Sequence, residues 1–266
     1  VALLIPGLVC SQNPFWVNAD KKLINKLANQ YSENPNYLSS IYGIHENNFD
    51  SLDYEDLGFG YKMIKKGLGG GYISLKTNFY FHQDSLIGFT IFLSLPDHKR
   101  LIEKYKEWYK DKFNLEEYSP KIYYNSELMD YPLLGYYGTL NVQEIRKELK
   151  FYFSIESGLM YGLRGGYSNS ILPNRKLFIG LLNSLTYEEL YLLMHSKNPA
   201  TRLTAIEYYL RNKSNIDLEY PVDEWIEKVL RQTTSVDTLD GCLGSRRDPR
   251  LVLWPLVGMA ESPYEK

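Results

Sequence analysis

The sequence predicts an α+β fold: a mostly antiparallel sheet with packed helices, followed by a short helical segment. Three observations carry that expectation. Two runs between residues 72 and 95 alternate apolar and polar side chains with period 2, as half-buried strands do. The run that follows, 97–113, repeats its apolar residues at helical spacing, so strands and helix share one region. From Leu177 the period becomes helical and stays so to Gln232. The 266 residues, 44% hydrophobic and 23% charged, exclude a disordered or collagen-like chain. No apolar run reaches the roughly 18 residues of a spanning helix. A net charge of −2 offers no overall basic field for a nucleic-acid backbone, so no nucleic-acid partner is expected.

In chain order, Val1–Val9 reads VALLIPGLV and polar SQN follows, which resembles the apolar core of an export signal. Residues 1–11 are therefore expected to be removed by a cut before Gln12, with the initiating Met and basic start absent. A lipid anchor at Cys10 is the weaker alternative, because Val9 stands where a lipobox needs Gly, Ala or Ser. The cut leaves Cys242 without a partner, to be read as a small buried hydrophobe. Leu23, Ile24, Leu27 and Tyr31 make an amphipathic helix within 20–42. The acidic stretch after it reads as a loop.

The strands GYISLKTNFYFH and SLIGFTIFLSL form a hairpin about Gln83-Asp84, and Gly69-Gly70-Gly71 ahead of them would let the chain turn at positive φ. Pro96-Asp97 starts the helix that buries Leu101, Tyr105 and Trp108. Further strands are expected at KIYYN, YPLLGYYG, ELKFYFSIE and LMYGLRGGY. Thr186 to Glu189 is a capping box, Asn198-Pro199 caps a second helix and Pro221 opens a third. This gives a sheet domain at 20–175, a helical segment at 176–245 and a tail at 246–266.

In HSKNPATRLTAIEYYL, the residues Asn198, Pro199, Arg202, Ala205 and Leu210 stand as in a HEAT-type unit: helix, Asn-Pro turn, Arg, Ala-containing helix. About residues 180–245 resemble one HEAT-type helical repeat, and Val236–Cys242 is similar to the tail of such modules in exported bacterial proteins. The resemblance implies protein–protein packing rather than catalysis. Solenoids need about three stacked units, and one is clear here with a partial second, so these helices are expected to pack on the sheet domain or to form a small appendage to it.

Chemical signatures are sparse. His45, His82, His98 and His195 are scattered, and Phe49 stands where a zinc-protease helix beginning at His45-Glu46 needs its second His. The glycines at 67–71 lack the Lys-Ser/Thr of a phosphate loop, and no G-x-S-x-G occurs. No metal or cofactor is expected. Asp50, Asp53, Glu55 and Asp56 crowd one loop and offer carboxylates without a defined spacing. The positive signal is aromatic: 24 Tyr against 11 Phe and 4 Trp. Tyr123, Tyr124, Tyr131, Tyr136 and Tyr137, with Trp108, are the candidate binding residues, since exposed amphipathic rings suit a protein or glycan partner. The expected function is an exported, non-enzymatic envelope protein that binds another envelope protein or a glycan. The alternative is an envelope hydrolase using the carboxylates of the 50–56 loop.

Overall fold

The computed structural model describes residues 13–45, 52–95, 99–240 and 242–257. The expected export signal with Cys10, the Pro96-Asp97 helix start and Asp50 lie outside them. The fold is α+β, built on one five-stranded sheet of order β1-β2-β3-β4-β5: Glu55–Gly58, Tyr61–Gly69, Ser74–His82, Ser85–Ser94 and Lys121–Tyr124. Strands β1 to β4 follow one another through tight turns, as antiparallel pairing allows, and a longer helical connection leads from β4 to β5. At the β3–β4 turn Gln83 and Asp84 both take positive φ, 47° and 64°, as a two-residue hairpin requires. The alternation places Leu75, Thr77, Phe79 and Phe81 of β3 and Ile87, Phe89, Ile91 and Leu93 of β4 in the interior.

The chain divides into two compact units. One holds residues up to Asp53, Ile64–Phe79 and Gly88–Tyr123; the other holds Tyr54–Met63, Tyr80–Ile87 and everything from Tyr124. In the first, α1 (Pro14–Glu33) starts at Asn13, whose side chain accepts from the Phe15 amide, with Pro14 at the first helical position. It buries Asp20, Ile24, Leu27 and Ala28, and a short α2 (Leu38–Ile41) follows. Helix α3 (Lys99–Lys112) buries Leu101, Tyr105 and Tyr109 one turn apart. The Tyr109 hydroxyl donates to the Ile91 carbonyl at 2.9 Å and accepts from the Lys121 amide at 3.1 Å, tying the helix to β4 and β5.

The Gly69-Gly70-Gly71 turn departs from expectation in its cause. None of the three has positive φ. Gly70 and Gly71 are glycines because α1 lies against them: a Cβ on Gly71 would stand 2.4 Å from the Trp16 Cα, and one on Gly70 would stand 2.3 Å from Asp20 Oδ1, whereas one on Gly69 would meet nothing within 4 Å. That closeness lets the buried Asp20 carboxylate accept from the amides of Gly71 (2.5 Å), Tyr72 (3.1 Å) and Ile73 (3.4 Å) and from the Tyr105 hydroxyl (2.5 Å).

The second unit is largely helical: α4 (Ser126–Met129), α5 (Lys147–Phe153), α6 (Pro173–Leu181), α7 (Tyr187–Met194), α8 (Pro199–Asn212), α9 (Val222–Gln232) and α10 (Pro249–Val257). Two small ribbons accompany them, β6 (Arg164–Gly165) with β7 (Ser170–Ile171) and β8 (Val236–Asp240) with β9 (Leu243–Arg247). The capping box at Thr186 and Glu189 and the Asn198 cap form as predicted. Three strand expectations do not. ELKFYFSIE is helix α5, because Leu149, Tyr152 and Phe153 are the buried set while Phe151 faces solvent. YPLLGYYG is an irregular loop, and of LMYGLRGGY the residues Arg164 and Gly165 pair in β6 while Tyr161 makes an isolated bridge to Thr238. Residues 236–247, which lie beyond the helical periodicity that stops at Gln232, form the β8–β9 ribbon. Cys242 sits between its strands and is exposed, not a buried hydrophobe.

Candidate functional site

The turn between α7 and α8, His195-Ser196-Lys197-Asn198, is almost wholly buried although every residue in it is polar. Burial of such groups is tolerable only if they are bonded. Asn198 Oδ1 accepts from the Ala200 and Thr201 amides, while its Nδ2 donates to the Ser154 and Gly158 carbonyls at 3.1 and 3.0 Å. Ser196 Oγ donates to the Phe153 carbonyl at 2.5 Å. Arg202, also fully buried, donates to the carbonyls of Ser196 (2.6 Å) and Leu57 (2.9 Å) and to Thr233 Oγ1 (3.0 Å). Burial pushes its pKa down to about 9, against the nearby Asp56 carboxylate, so it remains a cation at neutral pH.

Around this centre lies a chain of rings. Tyr220 stacks on Tyr191 at 4.1 Å, Tyr136 stacks on Tyr191 at 5.4 Å, and His195 stacks on Trp225 at 3.8 Å. Phe59 then covers Trp225 at 5.3 Å and carries the Arg202 guanidinium 5.3 Å from its centroid. Gly58 makes room for this: at φ 80° its missing Cβ would fall 2.7 Å from Thr233 Oγ1 and 2.9 Å from Arg202 Nη2.

The loop at 130–142 is fastened onto the same centre. Lys197 Nζ donates to the Tyr131 carbonyl and stands 5.4 Å from the Tyr61 ring. Burial lowers the Lys197 pKa to about 8, opposed by Asp130. The Leu133 amide donates to the His195 carbonyl at 2.8 Å, and Lys228 Nζ donates to the Leu134 carbonyl at 3.3 Å. Leu133 is buried and Tyr136 half-buried, its hydroxyl accepting from the Leu140 amide at 3.2 Å. What the loop turns outward is Tyr131, Leu134 and Tyr137, 51%, 87% and 71% exposed.

The six aromatic candidates therefore separate. Tyr131 and Tyr137 are exposed on this loop and Tyr136 is its inward anchor. Tyr123 is packing in the first unit, its ring 5.1 Å from Phe89 and its hydroxyl bonded to Asn36 Oδ1 at 3.1 Å. Trp108 is half-buried beside Tyr105. Tyr124 ends β5, and its side chain lies outside the described set. Leu134 and the basic residues beneath the loop were missed from sequence; only the Asn198-Pro199 cap marked the turn that holds them.

Glu55 and Asp56, expected in the acidic loop, lie instead in strand β1, where pairing with β2 holds them, and Asp56 has a structural task. Asp56 Oδ1 accepts from the Gly58 amide at 2.8 Å, and its Oδ2 from the amide and hydroxyl of Thr234. The crevice that it lines with Glu55 and Asp237 has a volume of about 10 Å³, room for one water. Among the described residues, no three His, Cys, Asp or Glu side chains come together as metal ligands. A larger groove of about 890 Å³ runs along α5 and α6 over Phe151, Leu177 and Leu181. Two lysines and two glutamates, Lys147, Lys176, Glu148 and Glu156, share its rim, so it favours neither charge.

His195 makes this centre acid-sensitive. Its Nδ1 faces the Tyr191 carbonyl at 2.9 Å, so the one proton of the neutral ring sits there. Burial, with Arg202 and Lys228 adding positive charge, lowers its pKa to about 4. Between the unfolded value near 6.5 and about 4, the unfolded chain binds a proton that the folded one refuses, so this contribution is complete above pH 6.5 and lost as pH falls through 4. The loss is expected to reach about 3 kcal/mol. Urea unfolding at pH 7 and pH 4 checks it: His195→Phe should show a smaller drop than the parent chain, and an equal drop would assign the acid sensitivity elsewhere. In comparisons with known proteins, no family model, no curated protein and no solved structure matches the chain.

Proposed function

We propose that this is a non-enzymatic recognition protein of the cell envelope, which binds a protein partner through the outward side of the 130–142 loop. One observation carries the reading: Tyr131, Leu134 and Tyr137 face solvent on a loop whose backbone is bonded to buried Lys197 and His195. A loop already held in place loses little conformational freedom on binding, and exposed Tyr and Leu on a rigid base are the side chains that dominate interface energies. Leu134, the most exposed of the three, favours an apolar protein surface over a sugar, which pairs ring faces with polar groups. The envelope part of the proposal is supported by the apolar VALLIPGLV run and the polar residues after it. The hydrolase alternative loses support because the Asp56 oxygens are engaged by backbone and Thr234, beside a crevice too small for a substrate.

The test is affinity capture from envelope extract with Leu134→Ala/Tyr137→Ala, both exposed, followed by titration of the captured protein against each chain. Hot-spot truncations cost about 2 kcal/mol each, so binding should weaken by at least roughly thirtyfold. Equal capture and equal affinity in the double variant would overturn the loop as the binding surface.

A further inference from the structure

The overall charge of −2 conceals an uneven distribution. On α1, the residues opposite the buried stripe are Phe15, Lys22 and Lys26, at i, i+7 and i+11. Phe15 is 75% exposed, and Trp16 beside it is 46% exposed while its ring meets Tyr72 edge-on at 5.1 Å. Lys22 and Lys26 are exposed and Lys21 Nζ lies 5.4 Å from the Trp108 ring. The helix has two acids: Asp20 is buried and fully bonded, and Glu33 shares the outer face but comes only in the last turn, seven residues beyond Lys26. Helix α3, in the same compact unit, holds six basic residues against three acidic ones. The helical part of this unit is thus basic in a chain that is acidic overall.

We propose that the outer face of α1 is a docking surface for an anionic lipid bilayer, with Lys22 and Lys26 against the headgroups and Phe15 inserted at their level. Charge complementarity supplies the attraction, since each Lys near an anionic membrane is worth about a fivefold change in partitioning. Phe15 points to lipid rather than to a nucleic acid: a phosphate backbone has no use for an exposed Phe at the helix start, whereas aromatic rings concentrate at the interface of a bilayer. This surface belongs to the unit that does not contain the 130–142 loop, so it stands or falls independently of the recognition reading.

The experiment is flotation of the full chain with vesicles of pure phosphatidylcholine and with vesicles containing about 30% phosphatidylglycerol. The chain should float with the anionic vesicles only. Lys22→Glu/Lys26→Glu should lower partitioning at least about twentyfold, Phe15→Ser by about tenfold, and salt near 0.5 M should remove most of it. Circular dichroism checks that these exposed substitutions leave the fold intact. No flotation with anionic vesicles overturns the proposal. So does flotation with both vesicle types that neither variant changes, which would place binding in residues 1–9. Tight binding to a DNA oligonucleotide, with flotation insensitive to Phe15→Ser, would mean a general polyanion surface and overturns it equally.

Discussion

Arg202→Ala is expected to remove most of the stability of the helical unit. The side chain is the largest of those fully buried, so truncation leaves a cavity worth about 2–5 kcal/mol. It also strands the Leu57 and Ser196 carbonyls and the Thr233 hydroxyl, at about 1–3 kcal/mol for each buried group left unbonded. A total loss of at least about 5 kcal/mol compares with the about 5–15 kcal/mol that holds a whole domain together. A counter-term exists, because the depressed pKa of Arg202 shows that burying its charge is itself unfavourable, and its Nε has no hydrogen-bond partner. Arg202→Met separates the two. It keeps most of the volume, removes the buried charge and leaves the same three acceptors without donors. A loss of about 2 kcal/mol is expected for Met, since the orphaned acceptors outweigh the relief of desolvation. Urea unfolding followed by circular dichroism measures both. An Arg202→Met chain as stable as the parent would show that volume, not hydrogen bonding, is what this residue supplies.

The contrast between Arg202 and the strands explains what the sequence could reveal. The β3 and β4 runs were legible because one face of each is buried, and burial of a face leaves period 2 in the letters. Residues 149–153 read equally well as strand or helix, since Leu149, Phe151 and Phe153 satisfy period 2 while Leu149, Tyr152 and Phe153 satisfy 3.6. Tertiary contact decides: the Tyr152 hydroxyl reaches Asn174 Oδ1 at 3.2 Å inside the protein. The β8–β9 ribbon left no two-strand pattern because β9 is exposed along its whole length, and burial marks only Val236 and Thr238 of β8. Strand β2 was missed because Met63 and Ile64 are consecutive and both buried.

The candidate site was legible by half. A cluster of tyrosines in 123–137 is visible in the letters, but which rings face out depends on what lies beneath them. His195, Lys197 and Arg202 are residue types that sequence reasoning assigns to the surface, and here they are interior. The high Tyr content has the same explanation. Tyr42, Tyr105, Tyr109, Tyr152 and Tyr161 are buried rings whose hydroxyls each find a named partner, so Tyr serves this fold as a core residue with a polar tether.

In the first unit, Asp20→Ala is expected to cost about 4 kcal/mol. The carboxylate is the shared acceptor of three backbone amides and the Tyr105 hydroxyl, and its loss leaves these donors, among them the buried Ile73 amide and Tyr105 hydroxyl, without their acceptor. Gly71→Ala is expected to damage the same joint from the other side: its methyl cannot coexist with Trp16, whose Cα would be 2.4 Å away, so α1 must move off the turn and take Asp20 with it. Because both substitutions break one contact, their effects should not add. The double variant should lose little more than Asp20→Ala alone, with a coupling of about 2 kcal/mol in a double-mutant cycle. Tyr105→Phe, which removes one donor and keeps the ring, should cost only about 1 kcal/mol. Thermal and urea unfolding of the four chains measure the cycle. Additive losses would mean that the glycine turn and the buried carboxylate stabilise the unit separately, and that the closeness of α1 to residues 70–71 has some cause other than the hydrogen bonds to Asp20.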